Sequence, residues 1–237
     1  MDSGWILFSH LANRSDEELD LLGAGLVIAE PEYPELDFSH YVGLVDGMAR
    51  IVRSRVTGAP GPQRELETIR ATNALLFQEL GYRGNQDDYY DPKNSFLNEV
   101  LDRRTGIPIT MSLLVMEVAR RAGVRLEGVS FPGHFLVRYP TESGDMLFDP
   151  FHGGVALTRG DLEERLERAF GRKTPLTPGH LAAASRRQIL TRILNNLRGI
   201  YQRHGDQSRE RGVLERLAIL SNDEDVQAAS GAPRARN

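Results

Sequence analysis

The sequence predicts an α+β fold in which helices at both ends flank a small antiparallel sheet. Three observations predict it. Apolar residues recur at helical spacing between Leu19 and Leu80. Between Leu126 and Phe151 the texture changes to short strand-like runs separated by turn residues. From Ser185 to His204 the chain carries a long amphipathic stripe through Ile189, Ile193, Leu194, Leu197 and Tyr201.

The elements follow in order. Ser15-Asp16-Glu17-Glu18 has the spacing of a capping box and is expected to open the first clear helix. Leu19, Leu22, Leu26 and Val27 continue that helix, and Pro31 and Pro34 stop it. Tyr41, Leu44, Val45, Met48, Ile51 and Val52 mark a second amphipathic helix. After a Gly- and Pro-rich loop from Gly58 to Pro62, a third runs from about Glu65 to Leu80, with Gly81 as its C-cap. Asn85 to Lys93 is polar and reads as a loop. Asn94 or Ser95 is expected to cap a short helix through Leu97, Val100 and Leu101, which Thr105-Gly106 ends. Pro108 sits where proline is favoured, in the first turn of a helix reaching about Ala122. That helix is apolar on most sides, so it is expected to be the most buried one.

Leu126 to Phe131, His134 to Tyr139 and Met146 to Phe151 read as strands, with Thr141-Glu142-Ser143-Gly144 as a hairpin turn. After Gly154 the chain is expected to turn helical, over Asp161 to Ala169, with a linker at Thr174 to Pro178. Ser208 to Leu220 is the expected hairpin partner of the Ser185 to His204 helix. The chain thus divides into an N-terminal helical part (1–84), a core (85–180), a helical hairpin (181–221) and a tail read as disordered from its polar, small-residue composition (222–237).

Composition narrows the function classes. The net charge of -4 disfavours a phosphate-tracking nucleic-acid binder. The chain has no cysteine, which excludes disulfides and thiolate metal sites and fits a reducing, cytoplasmic location. No basic start precedes an apolar run at the N-terminus, and no stretch approaches the roughly 18 apolar residues of a membrane helix, so a soluble protein without a membrane partner is expected.

The segment from Asp91 to Gly154 carries the candidate chemistry. A thiol-type acyl-transfer site needs a nucleophile at a helix N-terminus, a histidine base on a neighbouring strand, and an Asp or Asn to orient it. His134 and Asp149 supply the second and third. With an even-numbered loop between their strands, both side chains fall on one sheet face as diagonal neighbours. The helix start expected for the nucleophile reads Ile107-Pro108-Ile109-Thr110, without a thiol.

The runs Asn94 to Leu101, Arg103 to Thr110, Ala119 to Gly123, Gly128 to Arg138 and Asp149 to Gly154 resemble the transglutaminase-like family often named regulator of SirC. The resemblance spans about Asp16 to Leu220. It implies a transglutaminase-like, cysteine-protease-like core followed by tetratricopeptide-type helices. It puts His134 and Asp149 at the positions of the base and its orienting acid, and Pro108 at or beside the position of the thiol. Only one helical hairpin follows the core, so an extended repeat array is not expected.

Each residue also has a plainer reading. His134 can be a hydrogen-bonded structural histidine, and Asp149 a cap of the Asp-Pro turn. His152 lies on the opposite parity to Asp149 and reads as a loop residue. Thr110 and Ser112 are candidate substitute nucleophiles, or buried hydroxyls bonded to backbone. Asn94, Asn98 and Glu99 are cleft candidates; the two asparagines, four apart, read as holding the adjacent loop. No spacing of His134, Asp149, Asp91 and Glu99 supports a metal site, and no cofactor is expected. Two functions compete. One is a non-catalytic regulatory module that binds a protein or peptide. The other is a hydrolase or acyltransferase using His134 and Asp149 with Thr110, Ser112 or water.

Overall fold

The structure, a computed structural model, describes residues 3–58, 60–142 and 144–230. Helix α1 (Ser3–Ala12), unforeseen in the sequence, buries Phe8 in the core. The Ser15 segment forms a turn rather than a helix start: Ser15 Oγ donates to Glu18 at 3.0 Å, and α2 (Leu21–Ala29) begins later, with Asp20 as its N-cap. The reason is tertiary. Asp16 accepts the backbone amides of Arg186 and Arg187 at 3.1 and 3.0 Å, which satisfies otherwise unpaired donors at the start of α8 (Arg186–His204).

Helix α3 (Phe38–Arg55) buries Val45, Met48 and Val52 of its expected stripe but leaves Leu44 and Ile51 exposed, and Asp37 accepts from the His40 amide. Helix α4 (Pro62–Asn73) passes directly into a π-helical stretch, Ala74–Glu79, and Gly81 follows with positive φ. Then come β1 (Arg83–Gly84), a 3-10 turn (Pro92–Ser95), α5 (Leu97–Arg103) and β2 (Thr105–Gly106). Strands β1 and β2 pair in parallel. Neither Asn94 nor Ser95 caps α5; Phe96 holds that position without a side-chain cap.

Helix α6 (Pro108–Ala122) begins at the expected proline and buries twelve of its fifteen residues. It is not the most completely buried helix, because α2 buries eight of nine. Leu21, Leu22, Leu26 and Val27 turn all round the α2 axis, and every side meets protein.

The sheet is antiparallel in the order β3 (Glu127–Val129), β4 (Leu136–Tyr139), β5 (Met146–Asp149), β6 (Val155–Leu157). Gly144 N donates to Thr141 O at 3.2 Å in the expected turn, whose Ser143 lies outside the described residues. Strand β6 is an addition to the expected set. The 3-10 turn Pro150–His152 and two positive-φ glycines, Gly153 and Gly154, reverse the chain to form it. One sheet face presents Val137, Tyr139 and Phe148 to the main core. The other presents Val129, Leu136 and Leu147 to Leu162 and Leu166 of α7 (Arg159–Phe170). A last 3-10 turn, Pro178–Leu181, leads to α8, which pairs with α9 (Gln207–Ser230) as a hairpin.

The main core runs from Phe8 to Leu220, so the divisions expected at 84/85 and 180/181 fall inside one packed cluster. Helix α9 continues past Leu220 to Ser230; the rest of the segment read as disordered, 231–237, lies outside the described residues. Among the described residues no helix is long and apolar enough to cross a membrane.

Candidate functional site

Asp149 ends β5 on the sheet face that α7 covers, fully buried. Continuing the β4–β5 register one step past Val137–Phe148 sets Asp149 opposite Leu136, so His134, two residues earlier, is a diagonal neighbour on that face. His134 itself lies in the bend before β4 rather than within the strand. His134 Nε2 stands 2.9 Å from Asp149 Oδ1.

Two further side chains close on the same carboxylate. His152 Nδ1 lies 2.6 Å from Oδ2, and Arg165 Nη2 lies 2.7 Å from it. The backbone amides of Phe151 and His152 donate to Oδ1 at 3.1 and 3.3 Å. His152 is therefore a site residue, contrary to its reading as a loop residue. Alternation ends at Asp149, because the 3-10 turn curls residue 152 back onto the acid it follows. Arg165 carried no sequence signal as a partner of Asp149. It arrives because Leu162 and Leu166 seat α7 on the sheet.

Burial would raise the Asp149 pKa. The hydrogen bonds and charge of His134, the bond from His152 and the Arg165 guanidinium outweigh it and hold the carboxyl far below its usual range. An ionised carboxylate only accepts, so both facing imidazole nitrogens carry hydrogen. His134 is thereby fixed with Nε2 as donor. Its Nδ1 makes no hydrogen bond to any described residue. The two imidazoles stack with centroids 5.7 Å apart, and Phe151 stands edge-on to His134. Arg192 of α8 donates to the His134 carbonyl at 2.7 Å.

The ligand atoms of His134, Asp149 and His152 lie within 4.8 Å of one another, a convergence the sequence spacing did not suggest. Their arrangement is an ion-pair cluster. Both facing nitrogens are committed to Asp149, and a metal would have to share Oδ2 with the Arg165 cation.

The nucleophile candidates are placed differently. Pro108 occupies the first position of α6, buried and without a reactive atom. Thr110 is fully buried; its Oγ1 donates to the Asn94 carbonyl at 2.8 Å and accepts from the Ile107 amide at 3.1 Å. Ser112, also fully buried, reaches among the described residues only the Phe135 carbonyl, at 3.5 Å. Asn94 ties down the 85–93 loop, accepting from Asn85 at 3.0 Å and donating to the Asp88 carbonyl at 2.7 Å. Asn98 holds no loop: its amide makes no hydrogen bond to a described residue. With Glu99 it lines a separate pocket beside Tyr33 and Tyr41.

Residues 39–195 match the model of the transglutaminase-like superfamily, and the chain belongs to it. Among its relatives are UPF0162 proteins. One from Xylella fastidiosa (strain 9a5c) is 42% identical over 219 residues, covering 90% of this chain and 76% of its own length. Another, from Pseudomonas aeruginosa, is 35% identical over 187 residues, covering 78% of this chain and 66% of its own length. The mouse F-box only protein 21 is 36% identical over 151 residues, covering 60% of this chain but 23% of its own length. No solved structure matches.

Proposed function

We propose that the chain is a non-catalytic transglutaminase-like protein acting as a regulatory or protein-interaction module. One observation carries this reading: Thr110 and Ser112 are fully buried and directed to backbone carbonyls, while Pro108 stands at the helix start with nothing to attack a carbonyl. A nucleophile must lie within reach of both its base and its substrate. The clasp of His134, His152 and Arg165 on Asp149 then serves to hold the turn after β5. A relative in which the matched segment fills 23% of a larger chain suits a module. The finer assignment, to the regulator-of-SirC type with α8 and α9 as a tetratricopeptide-like unit in the cytoplasm, belongs to this proposal.

The test is turnover of a panel of ester, thioester and amide substrates by the wild type and by His134→Ala. The expected result is no turnover above that of the variant, and no effect of thiol-directed alkylating agents. Turnover that disappears in a well-folded His134→Ala overturns the reading. It would favour the second one, a hydrolase in which His134 activates water. The observation behind that reading is the unengaged Nδ1, the nitrogen opposite the one that Asp149 fixes.

A further inference from the structure

A pocket of about 570 Å³ lies between the segment joining α2 to α3, the start of α3 and the outer face of α5. Four carboxylates line it: Glu35, Asp37, Glu99 and Asp102. Tyr33, His40 and Tyr41 supply ring surface. Tyr41 donates to Asp102 at 2.8 Å, and Tyr33 lines the pocket beside Glu99. The Tyr41 phenol has therefore given its hydrogen to an acid and offers the pocket only lone pairs. The near cation is Arg103, committed to Asp91 at 2.8 Å and standing 3.9 Å from Glu99. Asp37 caps α3, while Glu35 is exposed and makes no ion pair or hydrogen bond with any described residue.

Asn98 supplies the independent observation. It is 3% exposed, lines this pocket, and its Oδ1 is buried without a partner. Its Nδ2 makes no hydrogen bond to a described residue either. Oxygen and nitrogen of an amide are assigned by their partners, and with none on either end among the described residues the oxygen is free to take the pocket side. A buried amide left unpaired costs about 1–3 kcal/mol, and folded proteins rarely leave one so. The chemistry that completes it is an N–H donor.

We propose that this pocket binds the cationic side chain, arginine or lysine, of a partner peptide. Guanidinium and ammonium are donors without acceptor atoms, which matches a wall of carboxylates, phenol oxygens and an amide oxygen. The tyrosine rings add cation–π attraction. A bare metal ion fits poorly, because among the described residues three side chains bring their ligand atoms together at His134, Asp149 and His152 and not here. The proposal names a ligand class for an interaction module but rests on a different pocket from the His134 site, so either reading can fail alone.

The experiment is a calorimetric titration of the full chain with short alanine peptides carrying one central arginine, lysine or citrulline. The arginine and lysine peptides are expected to bind saturably and more weakly as salt rises, with citrulline weaker by roughly tenfold or more. Glu35→Gln should weaken both cationic peptides at unchanged melting temperature. Asn98→Leu should lose them while holding or raising the melting temperature, since it removes an unpaired buried amide. No saturable binding at millimolar peptide, equal binding of citrulline, or a clear drop in the melting temperature of Asn98→Leu each overturns the proposal.

Discussion

Arg165 Nη2 lies 2.7 Å from Asp149 Oδ2, on the carboxylate oxygen opposite the one that faces His134. The two oxygens thus connect α7, the bend before β4 and the turn after β5 through one buried charge. In a site built only for base catalysis the acid needs to orient a single imidazole. Here it also secures a helix and a second histidine, which gives it a structural task that survives without any reaction.

Asp149→Asn is expected to cost about 3 kcal/mol, because it leaves the Arg165 cation half-buried against a neutral group. The pH dependence has a definite sign. The folded pKa of Asp149 is depressed from 3.8, so its stabilisation is complete above the ordinary aspartate range and is lost as pH falls through it toward the folded value. Urea unfolding at stepped pH, from about 6 down to about 2, should show the wild type losing more stability than Asp149→Asn. Parallel curves would remove Asp149 as the source.

The two histidines should separate by exposure. Both stand edge-on to Phe151, but the His134 side chain is 13% exposed and that of His152 43%. His134→Ala should cost about 1–2 kcal/mol and His152→Ala under about 1. Melting temperatures of the two variants check this, and an inverted order would mean that the solvent-facing contact dominates.

Thr110 bridges α6 to the Asn94 loop through a hydroxyl that both donates and accepts. Thr110→Val keeps the volume but strands the Ile107 amide and the Asn94 carbonyl, at about 1–3 kcal/mol. Thr110→Cys places a thiol in the same fully buried position. It should resist alkylation in the native state and react once the protein is unfolded. Rapid native labelling would show that the position opens to solvent and would revive Thr110 as a candidate nucleophile.

The half of the site that follows a period was legible in the sequence. The alternation of β4 and β5 across an even loop points to the face on which His134 and Asp149 meet, although His134 sits in the bend just before β4, and Pro108 marks its helix start by ring geometry alone. The rest obeys no period. His152 depends on a turn that breaks alternation after Asp149, and Arg165 on how α7 settles on the sheet. Strands β1 and β2, two residues each, are too short to alternate. The local spacing around Asp16 is that of a capping box, but its carboxylate serves a helix 170 residues away.

The turn that carries His152 depends on close approach at Gly154. Gly153 and Gly154 both have positive φ, at 77° and 72°, so an alanine at either meets a backbone penalty of about 1–2 kcal/mol. Their surroundings differ. A Cβ on Gly153 would meet nothing within 4 Å, while one on Gly154 would lie 2.7 Å from Phe77 and 2.8 Å from Asn73. Those contacts are structural, since Asn73 donates to the Gly154 carbonyl at 3.2 Å and the Gly154 amide donates to the Asp149 carbonyl at 2.8 Å. Overpacking adds about 1–3 kcal/mol. Gly154→Ala should therefore be the more damaging of the pair by that amount, although the two glycines are adjacent and share a backbone conformation. Urea unfolding of both variants measures the difference directly. Adding Asn73→Ala to Gly154→Ala should return part of the loss, because it removes one of the two groups in the way. Equal destabilisation by the two glycine substitutions would mean that the turn yields, and that the approach of Asn73 and Phe77 does not fix the end of β5.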